Sequence, residues 1–391
     1  MEARHNPYSP GAGVRPAELA GRSQQIEDFD VLRYRAVAGR PAQSMVLYGL
    51  RGVGKTVLLN ELMDDARKED WIVGKVEADV GSTPFRSQVA SALNAALRHA
   101  QGKPKVAGRF KSALRTFKSF SLGAAPDGSF SVGIELDPDR GRADTGSLQA
   151  DLLDLAVDLG EAAKELGVGV ALFIDEMQHL ERDELAAICQ ACHEAGQREL
   201  PFFVVGAGLP NLPAALAEAK SYAERLFNYV SIDRLQRVDA VLAIEAPADD
   251  EGVGWDPDAI DLIVTASGGY PYFIQQFGQT AWNSASESPI DADDARDGIR
   301  KGWELLDVGF FRARWERATR AEREYLKAMA VDGDGPSSTG EVADRQARKR
   351  TALGPVRASL ISKGLVYSPE HGQIAFTVPG MSDFIARNAT E

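Results

Sequence analysis

Gly49-Leu50-Arg51-Gly52-Val53-Gly54-Lys55-Thr56 is the stretch that decides the fold. It fits the pattern G-x-x-x-x-G-K-[ST] without a gap. The run before it, Met45-Val46-Leu47-Tyr48, has strand character, and Val57, Leu58, Leu59, Leu62 and Met63 after it recur at helical spacing. A strand that turns through glycines into a helix forms a nest for phosphate. The glycines let the backbone wrap closely round the oxygens, and N–H groups at the helix start supply partial positive charge. In such a loop Gly49 to Val57 line the anion, Lys55 reaches the β- and γ-phosphates, and the Thr56 hydroxyl ligates Mg²⁺.

Outward from this loop, short apolar runs alternate with helical patterns: Met45–Gly49, Trp71–Glu77, Val168–Asp175, Pro201–Gly206 and Phe227–Ile232. Such alternation predicts βαβ units and a parallel sheet covered on both faces. The third run ends in Asp175-Glu176, which places two carboxylates at the carboxyl edge of the sheet, where ligands of such folds bind. Asp175 is expected to hold Mg²⁺ through water, and Glu176 to orient and deprotonate the attacking water. Between the second and third runs lies a long insertion, at about 98–142. Alternating segments at Ser119–Leu122 and Ser129–Leu136, joined by Pro126-Asp127-Gly128, read there as a β-hairpin.

The 391 residues suggest two or three domains, and 44 % hydrophobic with 26 % charged residues is ordinary for a folded, water-exposed chain. No apolar run approaches the roughly 18–20 residues of a membrane span. The two cysteines exclude a disulfide scaffold, and Met1 to Pro7 has no apolar signal core, so a cytoplasmic protein is expected. The net charge is −13, but its distribution is uneven. Arg345 to Lys363 holds six basic residues and no acidic one, and eight basic residues without an acid lie between Asp79 and Asp127. Local anion-binding faces on an acidic body are one reading of this; solvated helix faces are the other.

Gly49–Thr56 and Asp175-Glu176 together resemble the Walker A and Walker B motifs of the additional-strand P-loop ATPases. Asp175-Glu176-Met177-Gln178 and Ala20-Gly21-Arg22 are similar to segments of the AAA+ and STAND-type ATPases, within them the archaeal-ATPase and origin-recognition-like group. The resemblance covers about residues 15–280 and, more loosely, the whole chain. It implies an α/β P-loop NTPase fold of three layers around a parallel sheet, with a helical lid and a C-terminal winged-helix domain. It also implies ATP and Mg²⁺ as ligands. Carried over by position, Gly21 and Arg22 lie near the adenine, and Pro271 in Gly268-Gly269-Tyr270-Pro271 packs against the base. Arg225 is the arginine such families aim at the γ-phosphate, from a neighbouring subunit or within the chain. The lid lacks the usual sensor arginine, and the strand end Val204-Val205-Gly206-Ala207-Gly208 offers no polar sensor; Asn211 is the nearest candidate.

The expected boundaries are a core at 1–235, a lid at 236–317 and a winged helix-turn-helix at 318–391. In the last, Ser338-Thr339-Gly340-Glu341 has capping-box spacing, Pro355 is expected to open a third helix, and two alternating segments follow Gly364. If this module binds double-stranded DNA, Arg357 and Ser359 face base edges, while Arg345, Arg348, Lys349, Arg350 and Lys363 contact phosphate. The alternative is a nucleotide-switched scaffold that binds a protein partner, or a second copy of itself, and not DNA. Cys189-Gln190-Ala191-Cys192-His193 fits a haem-attachment pattern but lies in a helical stretch with no signal core upstream, so small buried helix residues are expected there. The absence of an Asn/Thr-Lys-x-Asp segment favours ATP, with ADP as product, over GTP.

Overall fold

The computed structural model describes residues 1–79, 83–101, 109–131 and 136–388. They fall into two compact units, one of residues 23–48 and 58–231, the other of 1–22, 49–57 and 232–391.

The first unit is built on five strands: β1 (Ser44–Tyr48), β2 (Ile72–Glu77), β3 (Val170–Asp175), β4 (Phe202–Gly208) and β5 (Phe227–Ser231). Their order is β2-β3-β4-β1-β5 and every pairing is parallel. All five runs expected from the sequence are therefore strands. β3 and β4 are buried along their whole length, which is why both read as unbroken apolar runs. The helices are α1 (Ser23–Val37), α2 (Lys55–Lys68), α3 (Phe85–Gln101), α4 (Arg109–Ala124), α5 (Leu148–Leu166), α6 (Arg182–Gln197), α7 (Leu212–Ala219) and the short α8 (Ala223–Leu226). The first three residues of α2 group with the other unit. Cys189 and Cys192 are buried on α6, as free thiols that burial pushes up to about 12, and Cys192 takes a hydrogen bond from Ser44.

The insertion corrects one expectation. Ser119–Leu122 is not a strand but the last part of α4, whose buried Phe110, Ala113, Leu114, Phe117 and Phe120 repeat at helical spacing. Ser129–Ser131 forms a 3₁₀ turn, and residues 132–135 of the expected second strand, like Lys103 and Lys105, lie outside the described residues. The segment that follows the insertion is fastened to α5 by Asp151. This fully buried carboxylate accepts hydrogen bonds from Arg86 (2.6 Å), the Thr145 N–H (2.9 Å) and hydroxyl (2.7 Å), and the Gly146 N–H (3.2 Å).

The second unit holds α9 (Arg237–Asp250), α10 (Pro257–Ser267), α11 (Pro271–Ser284) and α12 (Ala292–Leu305). A π-helical turn at Leu306–Phe311 and α13 (Arg312–Glu316) follow. Next come α14 (Arg320–Ala330), β6 (Ser337–Ser338), α15 (Thr339–Arg345), α16 (Arg350–Ser362), β7 (Val366–Tyr367), β8 (Gln373–Phe376) and α17 (Met381–Asn388). From α14 onward, three helices and an antiparallel sheet of order β6-β8-β7 are compatible with a winged helix-turn-helix. Two details differ from expectation: α16 starts at Arg350, so Pro355 lies inside it, and α17 is an added helix. Lid and tail share one apolar core that runs from Ile244 and Phe277 through Phe311, stacked at 5.5 Å on Phe384, to Leu326 and Leu360. The N-terminal lead joins this core too. Tyr8 is buried, donates to the Ile244 carbonyl at 2.5 Å and accepts from the Trp255 indole at 2.9 Å.

Candidate nucleotide site

β1 ends at Tyr48 and the chain passes directly into the phosphate loop, then into α2 at Lys55. The glycines are required by geometry. A Cβ at Gly49 would lie 2.0 Å from the Ile232 carbonyl oxygen, and Gly52 and Gly54 have φ of +85° and +91°, backbone that L side chains rarely adopt. Lys55 is buried, and its Nζ donates to the Gly49 and Leu50 carbonyls at 2.9 and 2.7 Å. Val53 is fully buried, while Leu50, Arg51, Thr56 and Val57 are half-buried.

Two carbonyls of the loop are held by donors from elsewhere in the same unit. The Tyr272 N–H, next to Pro271 at the start of α11, meets the Gly52 oxygen at 3.3 Å. The lid segment expected near the nucleotide thus touches the phosphate loop. Arg22 donates through Nη2 to the Val53 oxygen at 2.9 Å and to the Asp233 oxygen at 2.8 Å, and through Nη1 to its own neighbour Gly21 at 3.1 Å. Arg22 is 7 % exposed and its guanidinium is committed to backbone carbonyls, so it braces the loop. Burial lowers its pKa, opposed by the charges of Asp239 and Asp233. Gly21 has φ +67°, and a Cβ there would come within 2.9 Å of the Asp239 carboxylate. A peptide plane is trans, so fixing the Val53 oxygen on Arg22 turns the Gly54 N–H to the opposite side.

The loop also meets the C-terminal module. The Arg51 N–H donates to the Thr377 oxygen at 3.0 Å, and a Cβ at Gly364 would fall 2.9 Å from the Arg51 guanidinium.

In the sheet unit, β3 delivers Asp175 and Glu176 to the edge at which β1 ends, as expected, with β4 between the two strands. Asp175 is 5 % exposed, and its Oδ1 accepts the Glu176 N–H at 2.9 Å. Glu176 itself is left-handed, with φ +50° and ψ 36°. Its Oε2 accepts from Gln178 Nε2 at 2.5 Å, and His179 Nε2 lies 3.6 Å from the same oxygen. Asn211 is half-buried and its Oδ1 finds no hydrogen-bond partner among the described residues.

Arg225 stands at the other edge. It precedes β5, whose Phe227 is in register with Ser44 at the start of β1, while Ser231 matches Tyr48. Five residues of strand, about 16 Å, separate the two ends of β5. The Arg225 side chain lines a cleft with Arg40, Gln43 and His193.

The basic residues of the tail divide into two groups. Arg345 forms a two-pronged pair with Asp332 (2.5 and 2.6 Å), and Arg357 donates to the Ser368 hydroxyl at 2.8 Å. Ser359 and Lys363 both bond the Glu322 carboxylate, at 2.6 and 2.7 Å. These four hold the module together through internal partners. Burial opposes ionisation of Glu322, but the bonds from Lys363, Ser359 and Thr319 outweigh it and hold the carboxyl at about 2. Arg348, Lys349 and Arg350 remain exposed at the start of α16, with no ion pair among the described residues.

Among the described residues no helix is long and apolar enough to cross a membrane. Residues 18–205 match the AAA ATPase domain family, and residues 308–385 match a domain of unknown function (DUF8462). No curated protein matches the chain. Among solved structures, a Walker-type ATPase of Pyrococcus abyssi is similar at 14 % identity and TM-score 0.60, covering 95 % of this chain and 97 % of that one. Looser likenesses are the Thermotoga maritima RuvB Holliday junction branch migration motor (15 % identity, TM-score 0.46, 93 % and 96 % covered) and the Aeropyrum pernix ORC1 protein in complex with DNA (17 %, 0.47, 95 % and 95 %). With the gapless phosphate loop at the end of β1 and the paired carboxylates at the end of β3, this match identifies residues 18–205 as an ATPase domain of the AAA family.

Proposed function

We propose that this ATPase uses its nucleotide state to control the C-terminal module, and that the module engages double-stranded DNA. The observation that carries the reading is the bond between the Arg51 N–H of the phosphate loop and Thr377 of the module. A loop that closes round phosphate cannot move without disturbing that contact. Lys55 and the N–H groups of Gly52, Val53 and Gly54 bind the phosphates, and Glu176 accepts a proton from the attacking water. A hydroxyl (Thr56) and a carboxylate (Asp175) are hard oxygen donors that suit Mg²⁺, which would neutralise charge on the phosphates. Arg225 acts on a nucleotide held by a second copy.

For DNA, the support is Arg348-Lys349-Arg350. Three exposed cations at a helix start, with no ion pair among the described residues and with partial positive charge already on the backbone there, form a face that attracts an anion. The scaffold reading, with a protein partner and no DNA, is favoured by the internal use of Arg345, Arg357, Ser359 and Lys363.

The test is steady-state ATP hydrolysis with and without duplex, beside Glu176→Gln, and duplex binding titrated against salt. Neutralising Arg348, Lys349 and Arg350 together should reduce the slope of log affinity against log salt by about 3. Turnover and slope both indifferent to these changes would leave the scaffold reading.

A further inference from the structure

We infer that Gln178 positions the Glu176 carboxylate, and so supplies the polar function that β4 lacks at its own end. This rests on Glu176 being the group that takes the proton from water.

The end of β4 looks chemically empty, because Val204-Val205-Gly206-Ala207-Gly208 bears no polar side chain. The structure explains what the two glycines are for. A Cβ at Gly206 would lie 2.6 Å from Met177 Sδ, and one at Gly208 would lie 2.7 Å from Leu212 Cδ2 and 2.8 Å from Gln178 Oε1. Alternate positions of a strand share a face, so Gly206 and Gly208 form one continuous groove on β4. Into it the loop after β3 lays Met177, which is fully buried, and then Gln178. The vacancy on β4 is therefore a seat.

Seated there, the Gln178 amide is used at both ends. Its Oε1 accepts the N–H of Leu209, the first residue after β4, at 3.0 Å. Its Nε2 donates to Glu176 Oε2 at 2.5 Å. The Leu209 N–H can only donate, so it fixes which end of the amide faces β4. The NH₂ group is thereby aimed at Glu176. Glu176 needs such a hold. It stands in left-handed backbone at the junction of β3 and a 3₁₀ turn, with its side chain 26 % exposed, and the short bond from Gln178 narrows the rotamers its carboxylate can take. A base that must meet one water loses rate when misplaced by even about 1 Å, at a cost on the order of a hundredfold.

The experiment compares Gln178→Glu, Gln178→Met and Glu176→Gln in single-turnover ATP hydrolysis and in nucleotide binding. Gln178→Glu keeps an acceptor for Leu209 but replaces the donor with a second carboxylate facing Glu176. It separates positioning from packing, and its melting temperature should stay near that of the parent. The expected result is a fall in kcat of about 10- to 100-fold for both Gln178 variants, with ATP affinity within about twofold. Wild-type kcat in Gln178→Glu, beside an inactive Glu176→Gln, would show that the amide only packs and would overturn the proposal. Wild-type kcat in Glu176→Gln would remove its premise. A loss of affinity equal to the loss of rate would place Gln178 in binding, against the proposal as well.

Discussion

Replacing Arg22 by methionine tests the brace on the phosphate loop. The guanidinium makes two bridging hydrogen bonds, 2.9 Å to the Val53 oxygen and 2.8 Å to the Asp233 oxygen. Each charged bond contributes about 1.5–3 kcal/mol. Methionine fills much of the space but leaves the Val53 carbonyl without its donor, and it frees the peptide plane that aims the Gly54 N–H. Part of the loss is offset, because burying the guanidinium was itself unfavourable, as its lowered pKa indicates. A net cost of about 2–4 kcal/mol to the binding-competent loop remains. That is about a 30- to 1,000-fold weaker nucleotide affinity. Arg22→Lys should lie between, since an ammonium offers no planar fork for two divergent carbonyls. The assay is isothermal titration with ADP and with the inosine analogue, alongside thermal melts. If Arg22→Met binds both within about threefold of the parent, the brace does nothing for the site. If it loses adenine but keeps inosine binding, Arg22 reads the base, and the loop argument fails.

Two further outcomes concern stability. Glu322, held at about 2 against an ordinary 4.5, stabilises the fold by about 3 kcal/mol at neutral pH. Its pKa is depressed on folding, so this contribution is complete above about pH 5 and is lost as pH falls from 4.5 towards 2. The stability gap between parent and Glu322→Gln, followed by urea unfolding, should close over that window; a gap constant from pH 7 to 2.5 would refute the ion-pair account. Asp151→Ala strands the Arg86 charge and releases residues 145 and 146, and should cost about 3–5 kcal/mol. A change below about 1 kcal/mol in the urea unfolding free energy would mean that this segment is not fastened there.

The five strands were legible because parallel strands are buried on both faces and so are written as plain apolar runs. The loop was legible because phosphate geometry admits only glycine at Gly52 and Gly54. The insertion misled because Ser119 to Leu122 alternates over four residues only. The helix shows when the window opens to Phe110, where Phe110, Leu114, Phe117 and Phe120 come into phase. The internal partners of Arg22 and of the tail cations were not legible, for a common reason. Sequence gives charge but not distance, and Asp233, Asp332 and Glu322 lie 211, 13 and 41 positions from the partners they engage. The seat for Gln178 had a faint signal, the glycines at alternate positions of β4, which mean little until the loop that fills them is known.

Arg225 has a kinetic consequence. If Arg225 serves a nucleotide held by a second copy, catalysis that used it would have an order in protein concentration. Specific activity would then fall on dilution. Two inactive variants, Arg225→Ala and Glu176→Gln, would regain part of their turnover when mixed, each lending the group the other lacks. An activity that is constant over a thousandfold dilution would instead mean that one polypeptide turns over ATP alone, and that the cleft around Arg225 serves some other end.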